Sequence, residues 1–211
     1  MLGKLRERYE KLMLPVGRRL SRIGLTPNIV TVISLVVSVF CCILLALGAL
    51  IWGLILILLT GFIDMLDGAI ARATGATTRF GAVLDHLLDR YTEFLIILGL
   101  VFGGFVWWVW GFFAFFSMVM ASFVRAKAES VGRLEKCTVG IAERQEKLIL
   151  IIVGIIFVYL WPTILFLGQN ILEVCIILVG VLSQITVLQR LHYTWRKTEG
   201  IKQKEGEADD L

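Results

Sequence analysis

DMLDGAIARATGATTRFGAVLDHLLD, residues 64–89, sets four carboxylates, two arginines and three glycines between runs that read as membrane interior. Residues 24–63 carry no charged side chain, Phe94 to Val124 carry none, and from Leu148 to Gln189 the one charged residue is Glu173. A spanning helix takes about 20 apolar residues, so each run is long enough for two passes or most of two. A charged group inside a bilayer costs about 2.5–3.5 kcal/mol on insertion scales. Four acids held together there need a compensating ligand, and a pair of divalent cations is the obvious one.

Composition fixes the setting. Of 211 residues, 58% are hydrophobic and 18% charged, against roughly 45–50% and about 25% in soluble domains. The short turns Gly48–Gly53, Gly103–Trp107 and Trp161–Asn170 contain no Lys or Arg, while all 21 basic residues fall before Ile23, between Arg72 and Arg90, between Arg125 and Lys147, or from Arg190 onward. Under the positive-inside rule this asymmetry predicts six transmembrane helices in the cell membrane, with both termini and the active site facing the cytoplasm. The expected fold class is an all-α integral membrane protein. No nucleic-acid partner is expected.

The first 26 residues lack the continuous apolar core of a cleavable signal. Leu2, Leu5, Tyr9, Leu12 and Met13 recur at helical spacing among Lys4, Arg6, Arg8 and Lys11, which predicts an amphipathic helix over 1–26 lying on the cytoplasmic surface. Residues 27–197 form the six-helix domain, and 198–211 a polar, frayed tail. Cys41, Cys42, Cys137 and Cys175 show no metal-ligand spacing and read as small core residues. The aromatic run FVWWVWGFFAFF, residues 105–116, reads as an interfacial anchor.

Within the central segment, Asp64 and Asp67 are three apart and Asp85 and Asp89 four apart, so each pair shares one face of its helix. The Gly- and Thr-rich stretch between them is a turn, which makes the two helices antiparallel neighbours with facing acids. Mg2+ or Mn2+ prefers such oxygen ligands, and two ions a few ångströms apart suit phosphoryl transfer. Gly68 allows close approach of a ligand, and Arg72, one turn on, offers a cationic fork for a diphosphate. His86, one step from Asp85, points about 100° away around the helix and reads as a packing or interface residue. From chemistry alone, a cation or proton relay in a transporter stays open, as does simple pairing of the acids with Arg72, Arg79 and Arg90.

The pattern D-x2-D-G-x2-A-R-x8-G-x3-D-x3-D is met at every fixed position by Asp64, Asp67, Gly68, Ala71, Arg72, Gly81, Asp85 and Asp89. It resembles the signature of the CDP-alcohol phosphatidyltransferases. That resemblance implies transfer of a phosphatidyl-type group from a CDP-linked lipid to an alcohol with release of CMP. It also implies two ions held by Asp64, Asp67, Asp85 and Asp89, with Asp89 acting as general base. Asn28, Thr31, Asp64, Gly68, Ala71, Arg72, Thr78 and Gly81 match positions that bind the CDP-lipid. The family is commonly homodimeric.

For the acceptor, SFVRAKAESVG, GIAERQEKLILI and LQRLHYTWRK carry Arg125, Lys127, Lys147 and Arg190 at predicted helix ends. Positive-inside anchoring explains such residues as well as phosphate binding does. Their wording resembles the branch of phosphatidylinositol phosphate and archaetidylinositol phosphate synthases, which implies inositol 1-phosphate as acceptor and a phosphate held by these four cations. The donor is then CDP-archaeol or CDP-diacylglycerol. Lys127 and Lys147 keep the charge but lack the bidentate fork of Arg. Glycerol 3-phosphate is the alternative acceptor within the class, and a cation-coupled transporter the alternative outside it.

Overall fold

The computed structural model describes residues 13–75, 77–166 and 168–209. The chain divides into two compact units, one ending at Gly104 and the other beginning at Phe105.

The first unit holds α1 (13–22), α2 (Pro27–Ala46), α3 (Leu50–Thr74) and α4 (Arg79–Phe102). Helix α2 starts where sequence chemistry sets it. Thr26 caps it by accepting from Ile29 N at 3.4 Å, and Pro27 occupies the first turn, where its missing N–H is no loss. Helix α3 ends at Gly75, whose φ of +65° is the left-handed cap that glycine adopts without strain. Thr78 caps α4 by accepting from Gly81 N at 2.9 Å.

Helix α2 packs against both α3 and α4. Among the described residues α3 and α4 touch each other far less than either touches α2, yet Asp67 of α3 and Asp85 of α4 come within electrostatic reach of each other. Both helices lean on α2, whose polar stripe of Thr31, Ser34 and Ser38 lies buried in the unit. Val30, Ile63 and Ile70 form an apolar cluster with Leu20, Leu25, Val37 and Leu66.

For the expected amphipathic leader, Leu2, Leu5, Tyr9 and Leu12 lie outside the described residues. The part that is described packs inward: a Cβ on Gly17 would lie 2.5 Å from the carbonyl oxygen of Ala69, so α1 and α3 touch backbone to backbone there.

The second unit holds α5 (Trp108–Ser130), α6 (Arg144–Leu160), β1 (Leu165–Phe166), β2 (Gln169–Asn170) and α7 (Ile171–Asp209). Helices α5 and α6 both pack on α7. The two strands pair antiparallel, Leu165 with Asn170 and Phe166 with Gln169, a small departure from the all-α expectation where the chain reverses between helices. Helix α7 continues through Lys197 to Asp209 in place of a frayed tail, because the Lys, Glu and Ala of that segment favour helix. In the aromatic run, Trp107, Trp108, Phe112 and Phe116 are exposed while Val106, Gly111 and Ala114 face inward.

Among the described residues, α2, α3, α5 and the stretch Ile171–Glu199 of α7 are long and apolar enough to cross a membrane. Helix α4 carries Asp85, Asp89, Arg90 and Glu93, and α6 is 17 residues long. The protein is a mostly helical, multi-pass membrane protein.

Candidate active site

The four acids of the signature sit on α3 and α4, and α2 supplies hydroxyls to the first pair. The Thr31 hydroxyl lies 3.0 Å from Asp67 Oδ2 and 2.9 Å from the Pro27 carbonyl oxygen of its own helix. The Ser34 hydroxyl donates to Asp64 Oδ1 at 2.7 Å. Helices α2 and α3 run antiparallel, so a three-residue step on one matches a three-residue step on the other. Ser38, the next hydroxyl along, bonds Thr92 of α4 at 3.0 Å and ties the other acid-bearing helix to the same stripe.

Asp67 and Asp89 are buried, at 8% and 9% exposure. Asp67 lies within electrostatic reach of Asp85 and Asp64. Asp85, His86 and Asp89 bring a ligand atom each to within 4.8 Å of one another, and His86 is exposed. His86 is three residues from Asp89, a spacing that shares a helix face even though it diverges from Asp85. The donor set of α3 and α4 is dominated by carboxylate oxygens, which fits a hard cation of the Mg2+ or Mn2+ kind.

The glycines of the signature leave room for particular side chains. A Cβ on Gly68 would lie 3.1 Å from Arg72 Nη1, so the guanidinium folds back over the space that glycine leaves open. A Cβ on Gly81 would lie 3.0 Å from both Asn28 Oδ1 and Thr78 Oγ1, so the starts of α2 and α4 converge there. Asn28, Thr78 and Gly81 thus meet at one place, and Thr78 also caps α4. Ala71 lies on α3 just before Arg72.

Two groups beyond the signature belong to this neighbourhood. Ser34 was legible as part of a Thr31, Ser34, Ser38 pattern at helical spacing in an otherwise apolar helix. Glu93, one turn beyond Asp89 and 6% exposed, is bridged by Arg90 at 2.6 Å.

The second unit holds the four basic residues expected on the acceptor side, Arg125 and Lys127 on α5, Lys147 on α6 and Arg190 on α7. Arg190, 7% exposed, donates from Nε to the Val139 carbonyl at 2.9 Å and from Nη1 to that of Ala121 at 2.5 Å. Together with Gln189, which accepts from Ile141 N at 3.0 Å, it holds the loop before α6 against α7. Arg125 is within electrostatic reach of Arg190 and bridges Glu129 at 3.2 Å, and Glu129 also accepts from Cys137 N at 3.0 Å. Lys147 is buried in the first turns of α6. Lys127, two residues and so about 200° from Arg125, is exposed, with its ammonium 5.6 Å from the ring centre of Phe123.

Paired carboxylates on two helices, one pair backed by the hydroxyls of a third, make a candidate site for divalent cations. The chain belongs to the CDP-alcohol phosphatidyltransferase family, whose model matches residues 24–190. It is 36% identical to the archaetidylinositol phosphate synthase of Methanothermobacter thermautotrophicus over 93% of this chain and 95% of that one. It is similar to the crystal structure of Mycobacterium tuberculosis phosphatidylinositol phosphate synthase with CDP-DAG bound, at a TM-score of 0.76 and 33% identity over 88% of this chain and 94% of the other. The same enzyme in complex with manganese and citrate matches with a TM-score of 0.75 at 33% identity, over 87% of this chain and 88% of that one.

Proposed function

We propose that this protein transfers an archaetidyl or phosphatidyl group from a CDP-linked lipid to inositol 1-phosphate, releasing CMP. The observation that carries the reading is the seating of the signature acids: Asp64 and Asp67 are each held by a hydroxyl of α2, and Asp85 and Asp89 share one face of α4. The inositol 1-phosphate acceptor rests on the names of the relatives and on the wording around Arg125, Lys147 and Arg190.

In this reading Asp64, Asp67, Asp85 and Asp89 hold two Mg2+ or Mn2+ ions, which supply neutralisation of the diphosphate charge. Arg72, seated over Gly68, binds a diphosphate oxygen. Asn28, Thr31, Ala71, Thr78 and Gly81 shape the CDP pocket. Asp89 takes the proton of the acceptor hydroxyl as its oxygen attacks the lipid-side phosphorus, and the bond to CMP breaks. Arg125, Lys127, Lys147 and Arg190 serve the acceptor phosphate. Arg190 has five N–H donors, of which two hold carbonyls, so both tasks are compatible. The full topology has six spans with both termini in the cytoplasm, and the working form is a homodimer.

The test is CMP release by purified protein in detergent with Mg2+ or Mn2+. CDP-archaeol and CDP-diacylglycerol are each offered with inositol 1-phosphate, glycerol 3-phosphate, serine or free inositol. Release confined to inositol 1-phosphate supports the reading. Release with another acceptor alone discards the acceptor assignment, and none with any acceptor returns the transporter to the front.

A further inference from the structure

Thr31 and Ser34 of α2 meet Asp67 and Asp64 of α3 in matched steps. Ser34 belongs to no part of the sequence signature. It is 3% exposed, sits in a helix with no charged residue, and donates its proton to Asp64 Oδ1 at 2.7 Å.

A buried hydroxyl in a bilayer has two ordinary outlets. It can bond back to the carbonyl four residues earlier, as Ser38 does to Ser34 at 2.8 Å, or it can bond across to another helix. Ser34 bonds across, and its acceptor is an acid of the signature. A carboxylate offers about four lone-pair directions, so accepting one hydroxyl proton and ligating a cation are compatible. The hydroxyl bond fixes which rotamer Asp64 adopts and which oxygen turns toward α2. Ligand orientation by outer partners of this kind commonly changes metal affinity or activity by 10–100-fold.

We propose that Ser34 is a positioning residue: it orients Asp64 so that the α3 carboxylates are preset for a divalent cation before the ion arrives. This rests on the reading of the acids as metal ligands. In this role the hydroxyl acts through Asp64, to which it donates, and not on the reacting atoms. Ser38 serves as the internal comparison, being equally buried on the same stripe but bonded to Thr92, which is not an acid.

The experiment measures Mn2+ binding to detergent-purified protein by the electron paramagnetic resonance signal of free Mn2+, alongside thermal unfolding. Ser34→Ala should bind Mn2+ at least about tenfold more weakly. Ser34→Thr, which keeps the hydroxyl, should recover most of the affinity, and Ser38→Ala should bind like wild type. In turnover, raising Mn2+ should restore the kcat of Ser34→Ala toward wild type, which a merely structural role would not produce. Wild-type affinity in folded Ser34→Ala overturns the proposal while leaving the acid site standing. Equal weakening in Ser38→Ala overturns it in favour of general packing. Failure of wild type to bind Mn2+ at all removes both this proposal and the metal reading on which it rests. If Ser34→Ala does not fold, Ser34→Cys, with a weaker donor of similar size, takes its place, and wild-type affinity there overturns the proposal.

Discussion

Thr31 and Asp67 are 36 residues apart, and their side chains meet at 3.0 Å in the buried contact between α2 and α3. The same hydroxyl lies 2.9 Å from the Pro27 carbonyl, so its rotamer is set by its own helix before the acid is met. Thr31→Val keeps the shape and removes the donor. The expected result is a 10–100-fold loss of kcat/KM, partly recovered by excess divalent cation, with Thr31→Ser close to wild type. Steady-state CMP release across a Mn2+ titration measures it.

Gly68→Ala separates stability from activity. Alanine at an ordinary helix position is favoured over glycine by about 0.8–1.0 kcal/mol. At this one the new methyl would stand 3.1 Å from Arg72 Nη1, the far end of a flexible side chain. The helix should tolerate it and the guanidinium should be displaced. The variant should unfold at or above the wild-type temperature while its KM for CDP-lipid rises several-fold.

The pairing of the acids was legible because it is written in local spacing: Asp64 with Asp67 and Asp85 with Asp89 share helix faces by sequence distance alone. That α2 takes the main packing against both α3 and α4 was not legible, because a turn fixes connection and not the extent of contact. The acceptor cations were legible as charges but not as partners, since Arg190 spends two donors on carbonyls 51 and 69 residues away in sequence.

Arg125 and Lys127 should therefore behave differently. Arg125 lies within electrostatic reach of Arg190 and is tied through Glu129 to the loop at Cys137. Lys127 sits on the far side of α5 over Phe123. Lys127→Ala should raise KM for inositol 1-phosphate by only about two- to threefold, because an exposed ammonium meets the phosphate as a single, solvent-screened charge. Arg125→Ala should raise that KM tenfold or more, by the loss of roughly 1.5–3 kcal/mol of charged hydrogen bonding. Parallel acceptor titrations decide between this order and its reverse.

Arg190 carries a double load, and charge alone should not replace it. Its Nε and Nη1 hold the carbonyls of Val139 and Ala121, one in the loop before α6 and the other in α5. Leaving such buried carbonyls without a donor costs about 1–3 kcal/mol each. Arg190→Gln should lower the unfolding temperature and abolish use of inositol 1-phosphate together. Arg190→Lys keeps the cation but offers one ammonium where a planar fork spans two carbonyls, so it should recover part of the acceptor affinity and little of the lost stability. Acceptor KM and thermal unfolding measured on both variants check this. Full recovery of stability by lysine would mean that the two carbonyl bonds do not anchor the loop.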